Sequence, residues 1–302
     1  MDFFDLHCDT IYTGEKEGQR LRSNNLAVSL DKGKCFDRWC QTFAIFIPDE
    51  YRGRAAIDLY ERLHNRFLTE MRDNSDAVSQ CRTSDEILAA TSAGKCAAIL
   101  SVEGGAALGG DLSMLDRLHD DGVKMITLTW NGDNELASGV GGSGGSLTDF
   151  GRRAVLRMNE LGILCDVSHL NGRCFWELID MGVAPIVATH SNYKSVLYHR
   201  RNLTDEQFKA ICRTGGVAGL NFYNEFLGRN TFDDVLRHLN KALELGGEDN
   251  VAFGSDYDGS DIDFSLDSID KMPDLCNYLV QYGIDERIIK KLCFENALRL
   301  FR

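Results

Sequence analysis

Short apolar, β-branched segments alternate with amphipathic helical segments along the whole chain, and this alternation restricts the fold more than any other feature. Eight segments have the length and composition of strands: 3–9, 41–47, 96–103, 125–131, 163–169, 185–190, 216–223 and 251–256. Helical patterns lie between them, and several begin at Thr or Asp and end at Gly. Parallel strands require such crossovers, so the alternation predicts an α/β protein built on one parallel sheet.

Polar residues at the ends of the predicted strands help to distinguish two α/β architectures. Eight strand–helix units in 302 residues suit a closed (β/α)8 barrel, although an open doubly wound sheet alternates in the same way. In a barrel the carboxyl ends of all strands surround one mouth, whereas an open sheet spreads them along an edge. Because polar residues end most of these strands and no linker or repeat divides the chain, we predict a (β/α)8 TIM barrel that forms a single domain over residues 1–302.

Composition and charge exclude several classes of function. The chain has 33 basic and 46 acidic residues, and its net charge of -13 repels nucleic acids and anionic lipids. No apolar run approaches the roughly 20 residues that span a bilayer, and the N-terminal segment has no signal-like pattern. We therefore expect a cytoplasmic protein with neither nucleic acid nor membrane as a partner. The ten cysteines are scattered, and we expect reduced thiols.

Histidines and carboxylates at the strand ends form the pattern of a metal site. His7 and Asp9 lie two positions apart, so their side chains share one face of a strand. Glu103 stands before two glycines, and His169 and His190 each end a predicted strand. An isolated His-x-Asp pair is more often a buried hydrogen-bonded pair than a ligand pair. The whole set, brought to one barrel mouth, instead favours two divalent cations of the zinc type.

Five motifs, in their order and spacing, carry a resemblance to a known family. HCD, SVEGG, DVSHL, THSN followed by RRN, and GSDYDG resemble the membrane dipeptidase (renal dipeptidase) family, peptidase family M19 of the amidohydrolase superfamily, over nearly the whole chain. The resemblance implies a dipeptidase with two Zn²⁺ ions. His7 and Asp9 would bind one ion and His169 and His190 the other. Glu103 and a water or hydroxide would bridge them, and the hydroxide would be the nucleophile.

The same resemblance implies roles for two further residues. Asp256 would take the proton from the nucleophile and pass it to the leaving nitrogen. Arg201 matches the arginine that binds the substrate carboxylate through two parallel hydrogen bonds, with the neighbouring Arg200 as an alternative assignment. Asp258 competes with Asp256 for the catalytic role, but it can instead bind the backbone of its own glycine-containing turn.

The segment TLTWNGDNE departs from the pattern of the animal enzymes. Trp130 stands where those enzymes carry a histidine that contacts the substrate. We expect Trp130, Asn131 and Tyr223 to bind substrate, and we hypothesise that Asn131 replaces the missing donor, whose loss would cost about 10²-fold to 10³-fold in turnover. The resemblance also implies a small dipeptide substrate, acceptance of a C-terminal D-residue, and a homodimer.

Two alternatives to a dipeptidase remain open from the sequence. The same metal pair could hydrolyse another small amide, an ester or an N-acyl amino acid, or the chain could be a catalytically silent metal-binding sensor. Gly139, Gly141 and Gly144 match G-x-G-x-x-G, but this segment neither directly follows a strand nor opens a helix, so it does not predict a dinucleotide site. The remaining helical histidines are expected to be solvated: His64, His119 and His238.

Overall fold

The predicted barrel is confirmed by the computed structural model, which describes residues 1–229 and 231–302. Nine parallel strands lie in this described part: β1 Asp2–Cys8, β2 Arg38–Phe46, β3 Val78–Gln80, β4 Cys96–Glu103, β5 Val123–Thr127, β6 Leu164–Asp166, β7 Ile186–Val187, β8 Ala218–Leu220 and β9 Val251–Phe253. Eight of them follow one another in the order β7-β6-β5-β4-β2-β1-β9-β8, and the extra strand β3 pairs with β4. A bridge between Ala188 and Ala218 joins β7 to β8, so the barrel closes.

Helices connect the strands and cover the outside of the barrel. Over the described ranges the α-helices are α1 Thr10–Glu17, α2 Gly53–Asp73, α3 Ser84–Ser92, α4 Ser113–Asp121, α5 Asp149–Leu161, α6 Gly172–Asp180, α7 Asp205–Arg213, α8 Asn224–Leu227, α9 Phe232–Glu244, α10 Met272–Gln281, α11 Glu286–Lys290 and α12 Asn296–Leu298. Side-chain caps begin several of them. Thr204 and Thr231 each form a reciprocal capping box with the residue three positions later. None of the described helices combines the length and apolar character needed to cross a bilayer.

Two apolar clusters form the core. The larger one lies between the strands and the helices, and it includes Phe3 and Cys8 of β1. The smaller one contains Phe4 and Leu6 of the same strand together with residues near the C-terminus, among them Phe301. Alternate residues of β1 therefore face the helices and the barrel interior, as the two-residue period of a strand requires.

An irregularity in β1 determines which way His7 points. Between β1 and β2 the register advances by three residues on one strand and two on the other, from Asp5 opposite Gln41 to Cys8 opposite Phe43. Without this extra residue, regular alternation from Leu6 would turn His7 away from the interior. A bulge of this kind redirects the following side chains. It allows Leu6 and His7 both to face inward, while Cys8 packs outward.

Several strands end earlier than the sequence pattern predicts, because side chains take the backbone N–H groups that would extend the ladders. The strand predicted over 163–169 ends at Asp166, whose Oδ1 accepts hydrogen bonds from the N–H groups of Ser168 (2.9 Å) and Thr189 (3.0 Å). The N–H of Ser255 likewise donates to Oδ1 of Asp5 at 2.8 Å, after β9 has ended. Such bonds compete with sheet formation, and the chain is then free to turn at the barrel mouth.

Two of the three histidine predictions in the helices are wrong. His238 is fully buried, accepts a hydrogen bond from the Tyr193 N–H and donates one to the carbonyl of Leu227. His64 is also buried and stacks on Tyr60. These rings lie on the inner face of their helices. Hydrogen bonds offset the cost of burying the ring of His238, whereas Nε2 of His64 has no hydrogen-bond partner among the described residues. His119 is partly exposed, with 43% of its side chain accessible, and all ten cysteines are free thiols.

Candidate metal centre

Glu103, the last residue of β4, lies between histidines that come from other strands. Its Oε1 is 2.9 Å from Nε2 of His169 and 3.4 Å from Nε2 of His190. Its Oε2 is 3.5 Å from Nε2 of His7. The two carboxylate oxygens therefore face two different histidine groups, which is the arrangement a bridging ligand needs.

His7 lies at the middle of the second group. Its Nε2 is 3.3 Å from Oδ2 of Asp9 and 3.8 Å from Oδ1 of Asp256. Two sets of ligand atoms lie close enough together to hold a cation: His7 with Glu103 and His190, and His7 with Asp9 and Asp256. The six side chains that the sequence placed at separate strand ends thus meet in one cluster, with His7 common to both sets.

Burial shifts the pKa values of the residues in this cluster. Burial, and then the neighbouring His7, hold the pKa of His190 well below its usual value, and burial together with Arg201 lowers the pKa of His169. Burial and the adjacent Glu103 raise the pKa of Asp9. Buried carboxylates in contact need a positive partner to remain ionised. Neutral imidazole is the donor state that a divalent cation requires, and the lowered pKa values of His169 and His190 favour it. At His7, burial lowers the pKa but Glu103 and Asp9 raise it well above its usual value, so a cation bound there would replace a proton.

The donor set fits a pair of borderline divalent cations. Three imidazole nitrogens and three carboxylates converge within contact distance, and these atom types suit zinc and its neighbours. Oδ1 of Asp9 is buried and has no hydrogen-bond partner among the described residues. An unpartnered buried carboxylate oxygen is costly, and a coordinated cation would satisfy it.

Three residues of the centre have a backbone conformation that is rare for side chains other than glycine. His169, Asp256 and Asp258 have φ values of 66°, 65° and 66°. Left-handed conformations of this kind are uncommon outside glycine and concentrate at functional sites, where the surrounding structure holds them. They turn the chain sharply just beyond β6 and β9, and so bring His169 and Asp256 over the mouth.

Asp166 supports the histidines from below, and the sequence analysis missed this role. Its Oδ2 accepts hydrogen bonds at 2.6 Å from the hydroxyls of both Thr127 and Thr189. The Thr189 hydroxyl lies 2.8 Å from Nδ1 of His190, so it accepts the Nδ1–H while it donates to Asp166. We call this chain of hydrogen bonds, from His190 through Thr189 to Asp166, the relay. It leaves Nε2 of His190 unprotonated, with its lone pair facing Glu103. A carboxylate inside an apolar strand was the available signal, because such a group must be satisfied.

Asp256 is held by an asparagine network. Nδ2 of Asn221 donates to its Oδ2 at 3.0 Å, and the Asn221 backbone is paired in both directions with the side chain of Asn192. Oδ1 of Asp256 faces His7. One oxygen is therefore anchored, and the other is directed into the centre.

The sequence suggested that Asp258 binds the backbone of its own turn, but its carboxylate has other partners. Its carboxylate accepts hydrogen bonds from the Thr10 hydroxyl and from the Ala27 N–H, both at 2.6 Å. The sequence around Asp258 gave no indication of a contact with Ala27, which lies 231 residues earlier. Asp258 thus ties the loop after β9 to the segment after α1, and it is a structural residue of the mouth.

An open cleft of about 550 Å³ lies above the cluster. Trp130, Asn131 and Tyr223 all line it, and their contact with substrate stays a prediction. Phe46 packs edge-to-face on Trp130 with ring centres 5.0 Å apart, and Tyr12 packs in the same way on Phe46 at 5.1 Å. One wall of the cleft is therefore a continuous row of aromatic rings that begins beside His169.

Arg201 lies behind the cleft instead of on its surface. It is 5% exposed, its guanidinium packs over the ring of Phe226, and it donates hydrogen bonds to the His190 carbonyl and the Ser191 hydroxyl. Burial lowers its pKa to about 10, so it stays charged at neutral pH. Its Nε has no partner among the described residues. One buried donor is therefore available to a ligand that reaches it.

Comparison with known proteins identifies relatives of the chain. The sequence matches the model of the membrane dipeptidase family, peptidase family M19, over residues 1–302. It is 35% identical over 239 residues to an uncharacterised protein from the pqqA 5′ region of Klebsiella pneumoniae, with 74% of this chain and 85% of that protein covered. It is 32% identical over 230 residues to an uncharacterised dipeptidase of Schizosaccharomyces pombe, with 72% of this chain and 55% of that protein covered.

Solved structures agree with these sequence matches. A Rhodobacter sphaeroides metallopeptidase, determined with a phosphinate mimic of L-Ala-D-Ala, superimposes with a TM-score of 0.92 at 29% identity, covering 100% of this chain and 98% of that one. Dipeptidase AC, a metallopeptidase of family M19, superimposes with a TM-score of 0.93 at 30% identity and the same coverage. The resemblance inferred from the five motifs is confirmed: the chain belongs to the membrane dipeptidase family, peptidase family M19.

Proposed function

We propose that this protein is a binuclear zinc dipeptidase that hydrolyses the peptide bond of dipeptides, including those with a C-terminal D-residue. Its family and its structural neighbours support a metallo-dipeptidase. The observation that carries the proposal is the position of Glu103, whose two oxygens face separate histidine groups at 2.9–3.5 Å.

Five residues would hold the two ions. His7 and Asp9 would bind one ion, His169 and His190 the other, and Glu103 would bridge them. When bound, the ions would supply Lewis acidity and an activated water as nucleophile. Zinc is the metal we propose, because neutral imidazole and carboxylate are its usual partners in catalytic sites.

Asp256 is the residue we assign to proton transfer. Its Oδ1 faces the centre 3.8 Å from Nε2 of His7, while Asn221 holds Oδ2. A carboxylate fixed in this way can accept a proton from the attacking water and return it to the nitrogen of the departing amine. Positioned general acid–base groups contribute about 10²-fold to 10⁴-fold in rate.

The cleft suits a small substrate with a free C-terminal carboxylate. Its volume of about 550 Å³ is in the usual range for small-molecule sites. We assign the substrate carboxylate to the unpartnered Nε of Arg201. Trp130 and Tyr223 would contact the substrate side chains and exclude water. The L-Ala-D-Ala mimic in the Rhodobacter sphaeroides relative supports acceptance of a D-residue. The cytoplasmic location and the homodimer inferred from the sequence remain predictions.

The test combines metal analysis with a substrate panel. Purified protein is chelated, assayed, reloaded with Zn²⁺ and assayed again on L,L and L,D dipeptides, N-acetyl amino acids, amino acid amides and esters. We expect about two ions per chain, loss of activity on chelation, recovery on reloading, and preference for dipeptides. Activity that survives chelation would refute the proposal. A preference for N-acyl amino acids would favour the other hydrolase, and metal binding without turnover would favour a sensor.

A further inference from the structure

We propose that Asn131 is a positioning residue for the metal centre. The glycine segment of residues 139–142 holds its backbone, and its amide oxygen accepts the Nδ1–H of His169, which leaves Nε2 free for a cation. This inference rests on the proposed function, because it concerns a ligand of the proposed ions. It gives Asn131 a different role from the substrate donor that the sequence suggested.

The contact between Asn131 and His169 is direct. Oδ1 of Asn131 lies 3.1 Å from Nδ1 of His169. An amide oxygen can only accept, so this contact places the proton on Nδ1. Nε2 of the same ring then presents its lone pair towards Oε1 of Glu103, 2.9 Å away. Metal-binding histidines almost always donate their second ring N–H to such an acceptor, which fixes both tautomer and ring orientation.

The glycine segment holds both partners of this contact. The Gly141 N–H donates to the carbonyl of Asn131 at 2.7 Å, and the Val140 N–H donates to the carbonyl of His169 at 2.9 Å. The segment therefore runs between the two residues and bonds to each. His169 needs this support because its φ of 66° is unfavourable for a histidine.

Packing explains why this segment is rich in glycine. A Cβ added at Gly139 would lie 2.4 Å from the carbonyl oxygen of Asn131 and 2.5 Å from that of Trp130. A Cβ at Gly142 would lie 1.9 Å from Oδ1 of Asp133. The obstacles at Gly139 are backbone atoms, which cannot rotate away. Of the three glycines that match a dinucleotide-binding spacing, Gly139 and Gly141 thus allow close approach to the Asn131 backbone, whereas a Cβ at Gly144 would meet no atom within 4 Å.

The first experiment measures Zn²⁺ affinity by competition with a chromophoric chelator in Asn131→Ala and Asn131→Asp. We expect Asn131→Ala to bind one of two Zn²⁺ ions about 10-fold to 100-fold more weakly, the usual effect of removing such a partner. Asn131→Asp keeps an oxygen acceptor and should retain the wild-type affinity. Lys16→Ala, a change elsewhere on the cleft wall, is the control and should leave both affinities unchanged.

A spectroscopic readout separates positioning from general loss of structure. In ¹⁵N-labelled, Zn²⁺-loaded protein, the Nδ1–H signal of His169 should be present in the wild type and in Asn131→Asp, and lost to solvent exchange in Asn131→Ala. Wild-type protein that binds no Zn²⁺ would refute the proposed function and this inference together. Two tightly bound ions with unchanged affinity in Asn131→Ala, or equal losses in the Ala and Asp variants, would refute this inference alone.

Two glycines of the same loop provide a second test. Gly139→Ala should weaken the same Zn²⁺ ion as Asn131→Ala does, because it displaces the Asn131 backbone. Gly145→Ala is the matched control, since the nearest atom to its added Cβ would be the hydroxyl oxygen of Ser143 at 3.3 Å. If both variants bind Zn²⁺ like the wild type, the glycine segment does not hold Asn131.

Discussion

The relay from His190 through Thr189 to Asp166 can be tested with two valine substitutions. Thr127 and Thr189 both donate a 2.6 Å hydrogen bond to the same oxygen of Asp166, but only Thr189 also contacts His190. Thr→Val keeps the shape of the side chain and removes the hydroxyl. The pair Thr127→Val and Thr189→Val therefore separates the loss of an Asp166 hydrogen bond from the loss of support for the imidazole.

The expected magnitudes follow from these contacts. A hydrogen bond to a charged group contributes about 1.5–3 kcal/mol, so Thr127→Val should lower the free energy of unfolding by about that amount. Thr189→Val loses an equivalent bond and also leaves the Nδ1–H of His190 without its acceptor, which costs about 1–3 kcal/mol more. In addition, Thr189→Val alone should weaken Zn²⁺ binding by about 10-fold to 100-fold, because His190 is no longer held in one orientation.

Two measurements decide the outcome. Urea unfolding of the metal-free variants gives the free energies of unfolding, and chelator competition gives the Zn²⁺ affinities. Equal loss of Zn²⁺ affinity in the two variants would show that Asp166, and not the hydroxyl bonded to His190, controls the centre. Wild-type affinity in Thr189→Val would refute the relay altogether.

Three further predictions concern separate residues. Asp256→Asn should lower kcat by about 10²-fold to 10⁴-fold with unchanged Zn²⁺ content, and equal kcat would remove Asp256 from the proton path. Arg201→Met should raise KM for a dipeptide by about 10-fold to 150-fold, which is the equivalent of one hydrogen bond to a charged group. It should leave KM for a dipeptide amide unchanged, and equal effects on both substrates would contradict carboxylate binding. Burial lowers the pKa of His238 to about 4, whereas an unfolded chain has a histidine pKa of about 6.5. As pH falls below 6.5 the unfolded state takes up this proton first, so the metal-free wild type should lose about 2 kcal/mol more than His238→Gln between pH 7 and pH 5 in denaturant titrations. Parallel pH profiles of the two proteins would contradict this account.

Periodicity and strand-end chemistry were sufficient to predict the barrel and the residues that meet at its mouth. In a parallel barrel the carboxyl ends of all strands lie at the same mouth. Residues at strand ends, such as Glu103 and His190, could therefore be assigned to one place without knowing any distance. The two-residue repeat also correctly turned Cys8 away from His7 and Asp9.

Features that depend on tertiary contacts could not be predicted in the same way. The bulge in β1 reverses the alternation between Leu6 and His7, and no local residue type marks it. The position of Asp166 in an apolar strand indicates that its carboxylate needs partners, but not that these are the hydroxyls of Thr127 and Thr189. The burial of His238 depends on Tyr193 and Leu227, which its own helix does not reveal.

The hydrogen bonds that join the first and last strands have a consequence for synthesis of the protein. Asp5 accepts bonds from the N–H and hydroxyl of Ser255, 250 residues later, and Asp258 binds the Ala27 N–H. Asp256 is added to the growing polypeptide long after His7 and Asp9. The complete cluster, with Asp256 in place against His7, therefore cannot form until synthesis has passed Asp256.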